Sequence, residues 1–169
     1  KEGLVVENGK LKTSYGGGLC QLSGLLFQLF LNSPLTITER HAHARETLPP
    51  AQMEETVGLD AAVSEGWLDL KAYNPTDAAF QLDFELDQEY IRGRLLSDKP
   101  SQYEYKLFNS ELEYFYREGK LFRNLQVSRI KTDQSTGENQ EELLYSEECQ
   151  ICYPAENIPQ ELIRKENPA

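Results

Sequence analysis

Basic charge, histidine and long apolar runs are what this chain of 169 residues has least of. Lys and Arg number 17 against 28 Asp and Glu, giving a formal net charge of −11. No basic stripe interrupts the acid, so a nucleic-acid partner is not expected, and neither is an anionic membrane surface. No apolar run approaches the roughly 20 residues that span a bilayer. The segment Leu19–Leu31 is too short and carries Gln21, Ser23, Gly24 and Gln28, so membrane insertion is not expected. The first residues do not read as a signal peptide. Cysteine is scarce and odd in number, with 3 in all. Cys149 and Cys152 form a single C-x-x-C with no second pair, which argues against structural zinc. That pair reads as a local disulfide, a redox dithiol or two reduced thiols at a strand end. With 39% hydrophobic and 27% charged residues, the composition is that of a globular domain and not of a disordered chain.

What the chain does have is a concentrated front stretch, Tyr15–Leu31, with the sequence YGGGLCQLSGLLFQLFL. Gly16, Gly17 and Gly18 run directly into Cys20. From Leu19 onward Leu22, Leu25, Leu26, Leu29 and Phe30 recur at helical spacing, and Ser33-Pro34 ends the run. Cys20 is therefore expected in the first turn of a buried helix whose Leu22/Leu25/Leu26/Leu29 side packs on a sheet containing Leu35–Glu39 and Leu68–Ala72. Unmatched backbone N–H groups and the positive end of the helix dipole gather at a first turn, and both favour a thiolate. A small apolar cysteine at the start of a core helix is more commonly just core.

Ahead of the glycines, Leu4-Val5-Val6 and Leu11 flank Asn8-Gly9, a hairpin signal. After Pro34, LTITER reads as a short strand leading to His41 and His43, the only two histidines. Trp67–Tyr73 and Phe80–Leu86 alternate and read as strands, the second half-buried, with Tyr90–Leu96 as its antiparallel neighbour. Leu112–Arg117 and Leu121–Lys131 flank the turn Glu118-Gly119-Lys120. The expected class is α+β, with a glycine loop and buried helix in front and an antiparallel β-rich back half. One domain is expected over 1–153, with its motif core at 15–76 and its β region at 77–153, followed by a fraying polar tail at 154–169.

The motifs GGGLCQLS, LTITERHAHA and GLDAAVSEGWLDLKAYNPTD, in that order, resemble the VanW family. The resemblance falls on Gly16, Gly17, Gly18, Cys20, Gln21 and Ser23, then Glu39, Arg40 and His43. Further on it falls on Gly58, Asp60, Ala61, Val63, Gly66, Asp69, Leu70 and Asn74. Three family positions differ: Gly24 and Leu25 replace the usual Ser and Thr, and Ala44 replaces a Ser. The resemblance implies a bacterial cell-envelope context linked with vancomycin resistance, on either the cytoplasmic or the extracytoplasmic side, and no particular reaction.

Cys20, His43 and Asp60 are the residue types of a thiol-based triad. In that reading Cys20 attacks a carbonyl, His43 takes and returns the proton, and Asp60 holds the imidazole. Gln21 donates to the oxyanion. Gly16, Gly17, Gly18 and Arg40 line the site, with Arg40 as a substrate anchor. The envelope context points to amide or peptide bonds of peptidoglycan-type substrates, a small-molecule or peptide-like partner. No cofactor or metal is expected; a mixed zinc site from His41, His43, Cys20 and Asp60 is the weaker reading. The alternative is a non-catalytic module that binds a peptide or cell-wall precursor.

Overall fold

Leu19–Leu31 forms α1, the one α-helix among the described residues of the computed structural model, which are 2–7, 10–15, 17–49, 56–88 and 90–164. Strands dominate the rest of the fold. The chain divides into two compact units. The first comprises 1–41, 59–105 and 131–139, and the second comprises 42–58, 106–130 and 140–169.

In the first unit, β1 (Glu2–Glu7) and β2 (Lys10–Tyr15) pair antiparallel, with Glu7 opposite Lys10. The expected turn residues Asn8 and Gly9 lie outside the described residues. After α1, β3 (Thr36–Glu39) pairs antiparallel with β5 (Lys71–Tyr73). Then β6 (Phe80–Leu86) pairs antiparallel with β7 (Ile91–Ser97). The helix bounds are those set by the leucine spacing and the proline stop, but its most buried side is different from the expected one. Ser23, Gly24, Phe27 and Leu31 are the buried positions, while Leu22, Leu25, Leu26 and Leu29 are half-buried. Small side chains at 23 and 24 let the helix approach another stretch of backbone closely. The leucines lie over β7, where a Cβ at Gly93 would meet methyls of Leu25 and Leu29 at 3.1 Å.

Two strand readings also shift. The span expected from Trp67 to Tyr73 is a strand only over Lys71–Tyr73, because Ser64–Leu68 closes on itself as a tight turn. The apolar row of β6 is largely exposed, with Leu82, Phe84 and Leu86 at 40%, 41% and 63%.

In the second unit, β4 (Arg45–Glu46), β8 (Tyr103–Arg117), β9 (Lys120–Asp133) and β10 (Asn139–Ile151) form a sheet in the order β4-β10-β9-β8, and β8, β9 and β10 also supply residues to the first unit. The β8–β9 hairpin turns on Glu118 and Gly119, both at positive φ, 54° and 71°. Two such residues match the right-handed twist of the flanking strands. Tyr114, Leu121, Cys149, Ile151, Tyr153 and Ile158 form the core. The segment expected to fray from Pro154 is ordered through Arg164: Ile158 is buried and Ile163 bridges to Tyr114. Residues 165–169 lie outside the described residues.

Candidate functional site around Cys20

The approach to α1 is made possible by glycine. A Cβ on Gly17 would lie 2.2 Å from the backbone of Gly3, and one on Gly3 would lie 2.1 Å from the Gly17 carbonyl. Only two glycines fit so close a crossing of main chains. Gly18 then caps the helix at φ 83°, and its carbonyl accepts the backbone N–H groups of Gln21 and Leu22, each at 3.1 Å. Gly16 lies outside the described residues.

Cys20 is the second residue of α1, and it is partly exposed. Its S–H points to the carbonyl of Val63 at 3.8 Å. One turn on, the Ser23 hydroxyl reaches the Ala61 carbonyl at 2.5 Å and the Cys20 carbonyl at 3.1 Å. A hydroxyl has one proton, and the shorter contact takes it. Carbonyls 61 and 63 therefore both face the helix, as alternate residues of an extended segment do. The Ala62 N–H points the opposite way and donates to the His41 carbonyl at 2.8 Å. The segment 61–63 is thus held between the first turns of α1 and the backbone at His41.

Asp60 is fixed by Arg40. The guanidinium donates from Nε to the Asp60 backbone carbonyl at 2.8 Å and from Nη2 to Oδ1 at 3.0 Å. It also lies over the Phe27 ring, 5.1 Å from the centroid, and only 11% of the Arg40 side chain is exposed. Arg40 therefore works as a clamp on the 60–63 segment. Gln21 is exposed, and with its backbone N–H given to Gly18, its side-chain amide is the donor it can offer to a ligand. His43 belongs to the second unit, whereas Cys20, Gln21, Arg40 and Asp60 belong to the first.

A second polar cluster in the first unit escaped the sequence reading. Glu39 accepts from Lys71 Nζ at 2.7 Å and from His41 Nε2 at 3.0 Å, and Lys71 also reaches Asp69 at 3.3 Å. A carboxylate only accepts, so His41 Nε2 is the donor in that contact. Hydrogen bonding from Lys71, then from His41, holds the Glu39 carboxyl down at about 2. The register of β3 on β5 sets Glu39 opposite Lys71, and that pairing is the signal a sequence reading lacked.

Cys149 and Cys152 belong to the second unit and are both free thiols. Cys149 is buried in the core on β10, and Cys152 is exposed just past its end. An extended chain separates such residues by about 10 Å, too far for a disulfide. Among the described residues, no group of three or more His, Cys, Asp or Glu side chains is placed to hold a metal. No helix among them is long and apolar enough to cross a membrane.

Comparison with known proteins places these motifs. A family described as "VanW like protein" matches residues 1–96. The vancomycin B-type resistance protein VanW of Enterococcus faecalis is 44% identical over 155 residues, covering 91% of this chain and 56% of that protein. The uncharacterized protein YoaR of Bacillus subtilis is 34% identical over 76 residues, covering 44% of this chain and 23% of that one. The chain thus spans about half the length of the first relative and about a quarter of the second. No solved structure matches. The glycine crossing, Cys20, Ser23, the Arg40–Asp60 clamp and the 61–63 segment all fall inside the matched region, and the chain belongs to the VanW family.

Proposed function

We propose that this VanW-family chain, in an α+β frame, is a thiol-dependent hydrolase or transferase acting on amide bonds of peptidoglycan-type substrates in the context of vancomycin resistance. The observation that carries this reading is the setting of Cys20. It is a partly exposed thiol in the first turn of α1, with a long S–H contact to Val63 and a hydrogen-bonded polar frame around it. In the proposed reaction the Cys20 sulfur attacks the amide carbonyl carbon, and a general base takes the thiol proton. The exposed Gln21 side chain donates to the developing oxyanion. The C–N bond breaks, the amine leaves with the proton returned by that base, and a thioester remains. Water completes hydrolysis, or a second amine completes transfer. The glycine loop and the Arg40-clamped segment line the site, and Asp60 serves by holding that segment.

Cys152 supplies an internal control for the test. If exposure alone governed reactivity, iodoacetamide at neutral pH would label Cys152 first. The proposal expects Cys20, though less exposed, to react fastest. It also expects Cys20→Ala to abolish amide cleavage at a stability cost of no more than about 1 kcal/mol. One observation favours the other reading, a non-catalytic module for a peptide or cell-wall precursor: the Asp60 carboxylate is already engaged by Arg40. Slow labelling of Cys20, with precursor binding intact in Cys20→Ala, would establish that reading instead.

A further inference from the structure

Trp67 is the only tryptophan in the chain, and 82% of it is exposed. Tryptophan is normally among the most buried side chains on average. This one is not left in solvent by a loose loop. The turn that carries it is closed by Ser64 N–H to the Leu68 carbonyl and by the N–H groups of Trp67 and Leu68 to the Ser64 carbonyl, all at 3.0 Å. Gly66 in that turn sits at φ 70°, which favours glycine. A rigid backbone therefore presents a large indole to water.

The turn starts one residue after Val63, whose carbonyl faces the Cys20 sulfur at 3.8 Å. Following these contacts, the Trp67 backbone nitrogen lies within roughly 13 Å of that sulfur, about the reach of four extended residues. Charge narrows what the indole would meet. Glu65 is exposed in the same turn, and the whole chain carries −11. Trp is the best aromatic partner for a cation, and a carboxylate beside it selects an ammonium over an anion.

We propose that Trp67 is the specificity-determining residue of the Cys20 site, and that it recognises an alkylammonium group, of the lysine side-chain type, on a peptide substrate. The inference rests on the thiol-site reading above and names its substrate class. Because Trp67 is alone, intrinsic fluorescence reports on it directly. The probes are acetyl-Lys-Ala-Ala and its norleucine counterpart, added to the full chain. The lysine peptide should shift or quench the emission, bind at least tenfold more tightly than the norleucine peptide, and slow iodoacetamide labelling of Cys20 at least threefold. Trp67→Ala should remove that protection, and Trp67→Phe should keep most of it. Equal binding of the two peptides, or protection that survives in Trp67→Ala, overturns the proposal. A fluorescence response that discriminates the peptides in a protein whose Cys20 labels slowly keeps Trp67 as the recognition residue and removes the thiol chemistry alone.

Discussion

The two units are held together internally by different means. The second buries an apolar cluster about Tyr114, has Leu125 and Val127 fully enclosed as well, and buries one charged side chain. Arg123 is 2% exposed and pairs with Glu46 at 2.5 Å and Glu147 at 3.3 Å. The first unit has three two-stranded pairings and leaves much of the apolar row on β6 in water. Its candidate site is tied by polar contacts that mostly end on backbone: Ser23 to Ala61, Arg40 to Asp60, Cys20 to Val63. Few buried apolar contacts and many local hydrogen bonds mark the low-stability end of a structure. Binding sites are drawn from that end, so the difference itself directs attention to the first unit.

The sharpest way to break this comparison is to remove Arg123. Arg123→Met leaves Glu46 and Glu147 without their shared partner in a buried setting. Losing one member of a buried ionic cluster costs about 3–5 kcal/mol. Denaturant unfolding followed by the tyrosines of the second unit, apart from Trp67 in the first, reads the loss. A cost below about 1 kcal/mol would mean that the cluster is solvated and that the two units are held more alike than the structure indicates.

Removing the Ser23 hydroxyl tests the other side. Ser23→Ala leaves the buried Ala61 carbonyl without its donor, at a cost of about 1–3 kcal/mol. Because segment 61–63 also receives the Cys20 S–H, the labelling rate of Cys20 should change along with stability. A change in stability with an unchanged labelling rate would separate Ser23 from the site.

These two residues also show what the sequence made legible. The helix bounds followed from leucine spacing and Pro34, and the Glu118-Gly119 hairpin from its turn residues. The buried side of α1 did not, because periodicity registers hydrophobicity and not closeness of approach. Ser23 and Gly24 are buried for being small against the backbone at 59–61. Cys20, Arg40 and Asp60 were legible through motif order, but the Arg40–Asp60 and Glu39–Lys71 pairings depend on which segments meet. Arg123 gave no signal at all, since a lone arginine between Phe122 and Asn124 looks like a surface residue. The sequence reading of β6 as half-buried rested on clean alternation, which says which side is apolar and not what covers it.

A smaller effect of opposite sign is expected at Gly24. A Cβ there would meet the Leu59 carbonyl at 3.7 Å and the Asp60 Cα at 3.9 Å, ordinary contacts. Gly24→Ala should therefore stabilise by about 0.4–1 kcal/mol, chiefly by restricting the unfolded chain. A loss of stability would show that the helix and the 59–61 segment are packed more tightly than these distances indicate.

The smallest effect expected is a pH dependence confined to the first unit. The Glu39 carboxyl ionises at about 2 in the folded chain, against 4.5 for the unperturbed group, because Lys71 and then His41 donate to it. Its folded value is lowered, so its contribution is fully present above 4.5 and is lost as the pH falls from there toward 2. The group is open to solvent, and salt screens such pairs, so the contribution should shrink as ionic strength rises. Lys71→Met should bring the Glu39 titration, followed by NMR at its carboxyl carbon, back toward 4.5. Glu39→Gln should remove this part of the acid response while leaving the buried Arg123 cluster of the second unit as it is. A Glu39 titration unmoved by Lys71→Met would transfer the cause to His41, whose Nε2 makes the other hydrogen bond to that carboxylate.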